Sequence, residues 1–186
     1  MPTHLELEVS LLDVEPRIWR RFLIDAGLSF GHLHQAIQGA VGWMDGHSYA
    51  FRTSLRARRA IAGGPDELGD PDGAPDAWSV PLRRVFGGAR PKKSCLYEYD
   101  FGDSWLHEVK LIGERADATP LPVLLLAGER AGPPEDCGGP PGYERCVAFA
   151  TTGVDPWGED AHLADWLGGW QPEVWDMAEA QAGFPG

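Results

Sequence analysis

The sequence predicts an α+β fold, an antiparallel or mixed β-sheet packed against helices in a single compact domain over residues 1–186. Three observations predict it. Leu5, Leu7, Val9 and Leu11 alternate with His4, Glu6, Glu8 and Ser10, which is the two-residue period of a half-buried strand. Phe30, Leu33, Ala36, Ile37, Ala40 and Val41 return at three- and four-residue steps, the period of an amphipathic helix. Strand patterns gather early and helical spacings late, at 143–182, with no internal repeat and no linker between them.

Taken in order, the Leu5–Leu11 strand is followed past Pro16 by Ile18–Ile24, rich in branched and aromatic residues, and the two pair as an antiparallel hairpin. Ser29 caps the Phe30–Trp43 helix and Gly42 ends it. His47, Tyr49 and Phe51 alternate on a short strand. An irregular Gly, Pro and Asp loop then occupies 62–79, and Pro81–Phe86 reads as a brief helix. Tyr97, Tyr99 and Phe101 share one face of the Cys95–Phe101 strand. Gly102-Asp103-Ser104 turns the chain, and Trp105, His107, Val109 and Leu111 alternate on the way back. Leu121–Leu126 is a weaker strand. After the loop from Pro133 to Gly142, helices are predicted at Tyr143–Ala150, His162–Leu167 and Pro172–Gln181, the last with proline in its first turn.

The formal charge of −12 is divided unevenly. Through Lys93 there are 12 basic and 11 acidic residues, and from Ser94 onward 4 and 17. The acidic excess disfavours a generic polyanion binder, although Arg17, Arg20 and Arg21 cluster on one strand, where they suit either phosphates or internal carboxylates. The longest apolar run, Pro122–Gly128, is far short of the roughly 20 residues that cross a bilayer, so no membrane partner is expected. With no leader at Met1-Pro2-Thr3-His4 and an odd three cysteines, the expected location is cytoplasmic.

Three polar clusters lie next to aromatic residues. His34 sits at the border of the helix's apolar face, and His47 follows Trp43 across Asp45-Gly46. Tyr99, Asp100, Asp103, Trp105 and His107 belong to the second hairpin, where the carboxylates serve equally as turn caps. Glu135-Asp136-Cys137-Gly138-Gly139 lies in a loop stiffened by prolines on both sides. His34, His47, His107 and Cys137 supply a zinc-compatible ligand set, but from four separate segments without a Cys-x-x-Cys or His-Glu-x-x-His spacing. Phosphate-binding Gly-x-x-x-x-Gly-Lys-Ser/Thr, dinucleotide-binding Gly-x-Gly-x-x-Gly and esterase Gly-x-Ser-x-Gly motifs are absent.

Pro16-Arg17-Ile18-Trp19-Arg20-Arg21, Leu33 to Trp43 followed by His47, Tyr97 to His107, Pro133 to Tyr143 and Trp166-Leu167-Gly168 stand in an order that resembles the plasmid pRiA4b ORF-3-like family. The resemblance spans nearly the whole chain. It implies a compact α+β protein of bacterial genes often carried on plasmids and insertion elements, without an established activity. Similar proteins are often labelled transposon resolvases (TnpR-like), yet Ser10 lies inside an alternating strand and Tyr143 lacks a recombinase's basic set. Where relatives resemble Cys-Pro-Pro-Glu-Asp-Cys, this chain has Gly132-Pro133-Pro134-Glu135-Asp136-Cys137, so a site needing both sulfurs cannot operate in the same way.

The expected function is therefore a non-catalytic binding or accessory protein associated with mobile elements. Trp43, Tyr99, Asp100, Asp103, Trp105 and Asp136 would converge on an aromatic and acidic pocket for a small ligand or peptide. The alternatives are a metal-dependent hydrolase or nuclease in which His34, His47, His107, Asp103 and Cys137 supply ligands or a base, with zinc as the cofactor, and a DNA-binding module using Arg17, Arg20 and Arg21.

Overall fold

A computed structural model describes residues 4–64, 74–116 and 121–184. Seven strands form one sheet: β1 (His4–Leu11), β2 (Trp19–Asp25), β3 (Tyr49–Arg52), β4 (Ala62–Gly63), β5 (Ser94–Tyr99), β6 (Trp105–Arg115) and β7 (Val123–Glu129). Their order is β4-β3-β5-β6-β1-β2-β7, and every neighbouring pair is antiparallel, which decides between the antiparallel and mixed alternatives.

Register explains why one face of this sheet is apolar. Phe51 lies opposite Tyr97, Tyr97 opposite His107 and His107 opposite Leu11. Tyr49, Tyr99 and Trp105 form a second row, and Cys95, Val109 and Val9 a third. All of these side chains are buried, and they are covered by α1 (Phe30–Val41). Ser29 and His32 bond to one another at the start of α1, and the Gly42 N–H returns to the Gln38 carbonyl at 2.9 Å with φ 95 at its end, a left-handed turn that glycine adopts without penalty. The opposite face carries Glu6, Glu8, Arg21 and Lys110, with Glu8 paired in register to Arg21 on one side and Lys110 on the other. Among the described residues no helix is long and apolar enough to cross a membrane.

The remaining helices are α2 (Arg83–Phe86), α3 (Gly139–Thr152), α4 (Asp160–Leu167) and α5 (Met177–Ala182). All four start away from the expected residue, α2 and α4 by two residues and the other two by more. α3 starts at Gly139 rather than Tyr143, because Pro140 and Pro141 occupy the first turn, where a helix needs no N–H partners. α5 starts at Met177 rather than Pro172. Asp176 is its N-cap, accepting from the Glu179 N–H at 2.8 Å, while the Pro172 carbonyl accepts from Ala131 in a separate turn. Part of the loop expected at 62–79 lies outside the described residues. The rest contains β4 and a 3-10 turn at Ala77–Ser79.

Candidate functional site: an acidic junction beside His47

Three turns meet above the aromatic floor of the sheet. The first runs from the end of α1 to β3 and carries Asp45 and His47. The second is the β5–β6 tip with Asp100 and Asp103, and the third is the 133–138 loop with Glu135 and Asp136. Asp45, Asp100 and Asp136 each take a left-handed backbone, with φ 57, 54 and 58, in reversals that aspartate tolerates better than most residues. The tip and the loop are joined directly. The Gly138 N–H donates to the Asp103 carboxylate at 3.0 Å, and a Cβ on Gly139 would stand 2.7 Å from the Asp103 carbonyl oxygen, so only glycine permits this approach. The loop is pinned from below, since Trp43 Nε1 donates to the Pro133 carbonyl at 2.9 Å and Trp170 Nε1 to that of Gly132 at 3.1 Å.

His47 is the hub of the junction. Its Nε2 lies 2.8 Å from Asp136 Oδ1, 3.8 Å from Asp100 Oδ2 and 3.9 Å from Glu135 Oε1. His47, Asp100 and Asp136 each offer a ligand atom, and these atoms all fall within 4.8 Å of one another. Among the described residues no other group of histidines, cysteines and carboxylates does so, and no lysine or arginine pairs with Asp100, Glu135 or Asp136. Glu135 is already engaged by the Tyr99 hydroxyl and by the Met44 N–H. Burial, and then the bond to Glu135, push the Tyr99 phenol above its ordinary value and keep it a donor.

The sequence-expected residues divide into those at the junction and those beneath it. Asp100, Asp103 and Asp136 lie at the surface junction, whereas Trp43, Tyr99 and Trp105 are buried with 6%, 1% and 1% exposure. Trp43 stacks on Tyr99 with ring centres 4.8 Å apart and packs against Trp105. The three rings form a closed floor instead of the walls of a pocket.

The four-residue zinc set does not assemble. His34 is buried inside a closed network: Gln38 donates to the Tyr97 hydroxyl at 3.1 Å, Tyr97 bonds His34 Nδ1 at 2.8 Å, and His34 Nε2 bonds Asp45 at 2.6 Å. Burial holds the His34 imidazolium below its ordinary pKa against the pull of Asp45. His107 is separated from His47 by two rings, because Trp43 packs on both His107 and Tyr99 and Tyr99 packs on His47. Complete burial lowers the His107 pKa to about 4. Its Nδ1 faces the Trp105 carbonyl at 3.0 Å, and its Nε2, beside a cavity of about 10 Å³, has no partner among the described residues. Cys137 is not part of the cluster, and its thiol donates to the Gly139 carbonyl at 3.9 Å.

The three arginines expected at DNA all have partners within the protein. Arg20 is 1% exposed, and its guanidinium donates to the carbonyls of Ala40, Trp19, Glu129 and Arg130 while lying 4.2 Å from the Trp175 ring centre. Arg17 and Arg21 each donate to Glu8 at 2.5 Å. Burial alone would raise the Glu8 carboxyl, but these two partners hold it below its ordinary value. Ser10, which a serine recombinase would need free, is buried and accepts from Arg17.

Fold and junction together define an α+β protein in which one sheet, sealed by a helix, presents a negatively charged meeting point of three turns. The chain belongs to the plasmid pRiA4b ORF-3-like protein family, whose model matches residues 3–179. It is 39% identical over 169 residues to the uncharacterized protein y4hQ of Sinorhizobium fredii, covering 88% of this chain and 80% of that protein. It is also similar to the crystal structure of MM3350, a protein of unknown function from Methanosarcina mazei Go1. The TM-score is 0.78 and the identity 28%, with 96% of this chain and 97% of that one covered.

Proposed function

We propose that the protein is a binding protein whose working site is the His47–Asp100–Asp136 junction, and that the junction takes a divalent cation. The observation that carries this reading is the convergence of one imidazole and two carboxylates within 4.8 Å, with no lysine or arginine among the described residues paired to them. A nitrogen and two carboxylate oxygens without thiolate suit Mn²⁺ and Zn²⁺ in a site completed by water. Asp136 is 65% exposed at its side chain and His47 33%, which leaves the outer positions of the ion open to a small ligand or to a carboxylate of a peptide. The same openness favours, as a second reading, a metal-dependent hydrolase in which an ion-bound water is the nucleophile. The three free cysteines support a reducing, cytoplasmic location, and the family's plasmid description supports an accessory role on mobile elements.

Calorimetric titration with Mn²⁺ and Zn²⁺ tests the cation. One ion per chain is expected. His47→Ala and Asp136→Asn should each weaken binding about tenfold or more, and Glu173→Gln, remote from the junction, should leave it unchanged. Equal binding by wild type and His47→Ala would overturn the proposal. Metal-dependent cleavage of a phosphodiester or ester probe, lost in Asp136→Asn, would move the reading to the hydrolase.

A further inference from the structure

A cavity of about 300 Å³, at the lower end of the range for small-molecule sites, lies between the end of α1 and the start of α5. Its walls are the last turn of α1, the 131–134 segment, Trp170, Trp175 and the first turn of α5, so His47, Asp100 and Asp136 take no part in it. Among the described residues its only charged lining groups are the exposed carboxylates of Asp176 and Glu179. One Asp176 oxygen caps α5 through the Glu179 N–H, and the Glu179 carboxylate has no partner among the described residues. α1 contributes its carbonyl end, the negative pole of a helix. The Gln38 carbonyl takes the Gly42 and Trp43 N–H groups, and that of Ala40 takes Arg20 Nε and Trp175 Nε1, whereas those of Gly39 and Val41 are left without a donor among the described residues. Both indole N–H groups are spent on carbonyls, Trp170 on Gly132 and Trp175 on Ala40, so the rings meet a ligand as π-surface.

We propose that this cavity binds a small organic cation, an alkylammonium or guanidinium group, between the Trp170 and Trp175 rings and the Asp176 and Glu179 carboxylates. Aromatic rings attract a cation through the negative face of their quadrupole, and Trp175 already holds one in this way from within the protein, since the Arg20 guanidinium lies 4.2 Å from its ring centre. The protein's own cations beside the walls are spent. Arg20 is 1% exposed and donates to four carbonyls, and Arg130 pairs with Glu173. An alkylated cation gains from both the rings and the carboxylates, whereas a neutral molecule of the same shape gains from the rings alone. An anion would meet two carboxylates and the negative pole of α1.

The inference does not depend on a metal ion at the junction, and its test is run with a chelator present. Choline and N-acetylarginine amide are titrated separately into isotope-labelled protein while the indole N–H resonances of Trp170 and Trp175 are followed by NMR. Saturable shifts at these two indoles are expected with at least one of the probes. Tighter binding of choline identifies a free alkylammonium compound as the source of the cation, and tighter binding of the arginine derivative a peptide side chain. Dimethylbutanol, the uncharged carbon isostere of choline, should bind at least about fivefold more weakly than choline. Glu179→Gln should weaken the cation by about threefold, since that carboxylate is exposed, and leave the isostere unchanged. No saturable shift at either indole with either cation, equal affinity for choline and its isostere, or a Glu179→Gln protein that binds the cation as tightly as the wild type would each overturn the proposal. The isostere comparison is made on the wild type, so it decides the matter whether or not the variant folds.

Discussion

The strand around Arg17–Arg21 and the loop at Glu135–Asp136 each read in the sequence as a dense run of one charge, and the fold treats them oppositely. On the strand, pairing partners cancel the charge. Glu8 lies opposite Arg21 in the sheet register and takes both Arg17 and Arg21, while Arg20 turns inward onto four carbonyls. At the loop, two other turns bring His47 and Asp100 to Glu135 and Asp136, and among the described residues no lysine or arginine pairs with these carboxylates. Charge counted along a chain therefore says little about free charge. Whether the neighbouring strand or turn supplies the opposite sign decides it.

The largest effect should come from Arg20. Arg20→Leu leaves four backbone carbonyls without their donor, at about 1–3 kcal/mol for each buried group that water cannot reach, so a loss of at least about 3 kcal/mol is expected in urea denaturation. A loss below about 1 kcal/mol would mean that Arg20 is no structural post and would reopen the strand as a functional surface.

Acid should separate the two regions next. His107 titrates near 4 when folded, below the 6.5 of a free imidazole, because burial disfavours its charged form. A depressed folded pKa means that the unfolded chain binds the proton first. The contribution is thus complete above 6.5 and is lost as pH falls toward 4, amounting to about 3 kcal/mol at the lower end. His107→Leu should flatten stability against pH across that window. An unchanged slope would show that another group controls acid unfolding.

The smallest effect sharpens the comparison from the basic side. Glu8→Gln removes the shared partner of Arg17 and Arg21 and should cost about 1 kcal/mol or less, given that both arginines are substantially exposed. It should also give duplex DNA binding a salt dependence steeper than that of the wild type, by about one released counterion per freed arginine. Identical flat salt responses would show that the arginines find other neutral settings.

Much of this fold is legible in the sequence because local periodicity and burial agree. Leu5–Leu11, Phe30–Val41 and the Tyr97–Val109 hairpin have side chains whose two- or three-to-four-residue spacing matches the face they bury. The larger departures occur where capping competes with pattern: Pro140-Pro141 start α3 early, and Asp176 rather than Pro172 starts α5. The junction was legible in part. Asp100, Asp103 and Asp136 are marked by turn chemistry beside aromatic residues, and the meeting of the hairpin tip with the proline-flanked loop is seen in the Gly138–Asp103 bond. Glu135, the immediate neighbour of Asp136, carries the same signal. His34 and His107 differ from His47 only in depth, which depends on strand pairing and helix cover rather than on neighbours in the chain.

Anomalous diffraction from crystals soaked in Mn²⁺ tests the central claim most directly. The account predicts a peak within about 2.5 Å of His47 Nε2 and of carboxylate oxygens of Asp100 and Asp136, and its disappearance in Asp136→Asn crystals. A map with no density among those three residues, or one in which the ion lies on other carboxylates and is indifferent to Asp136→Asn, would contradict it.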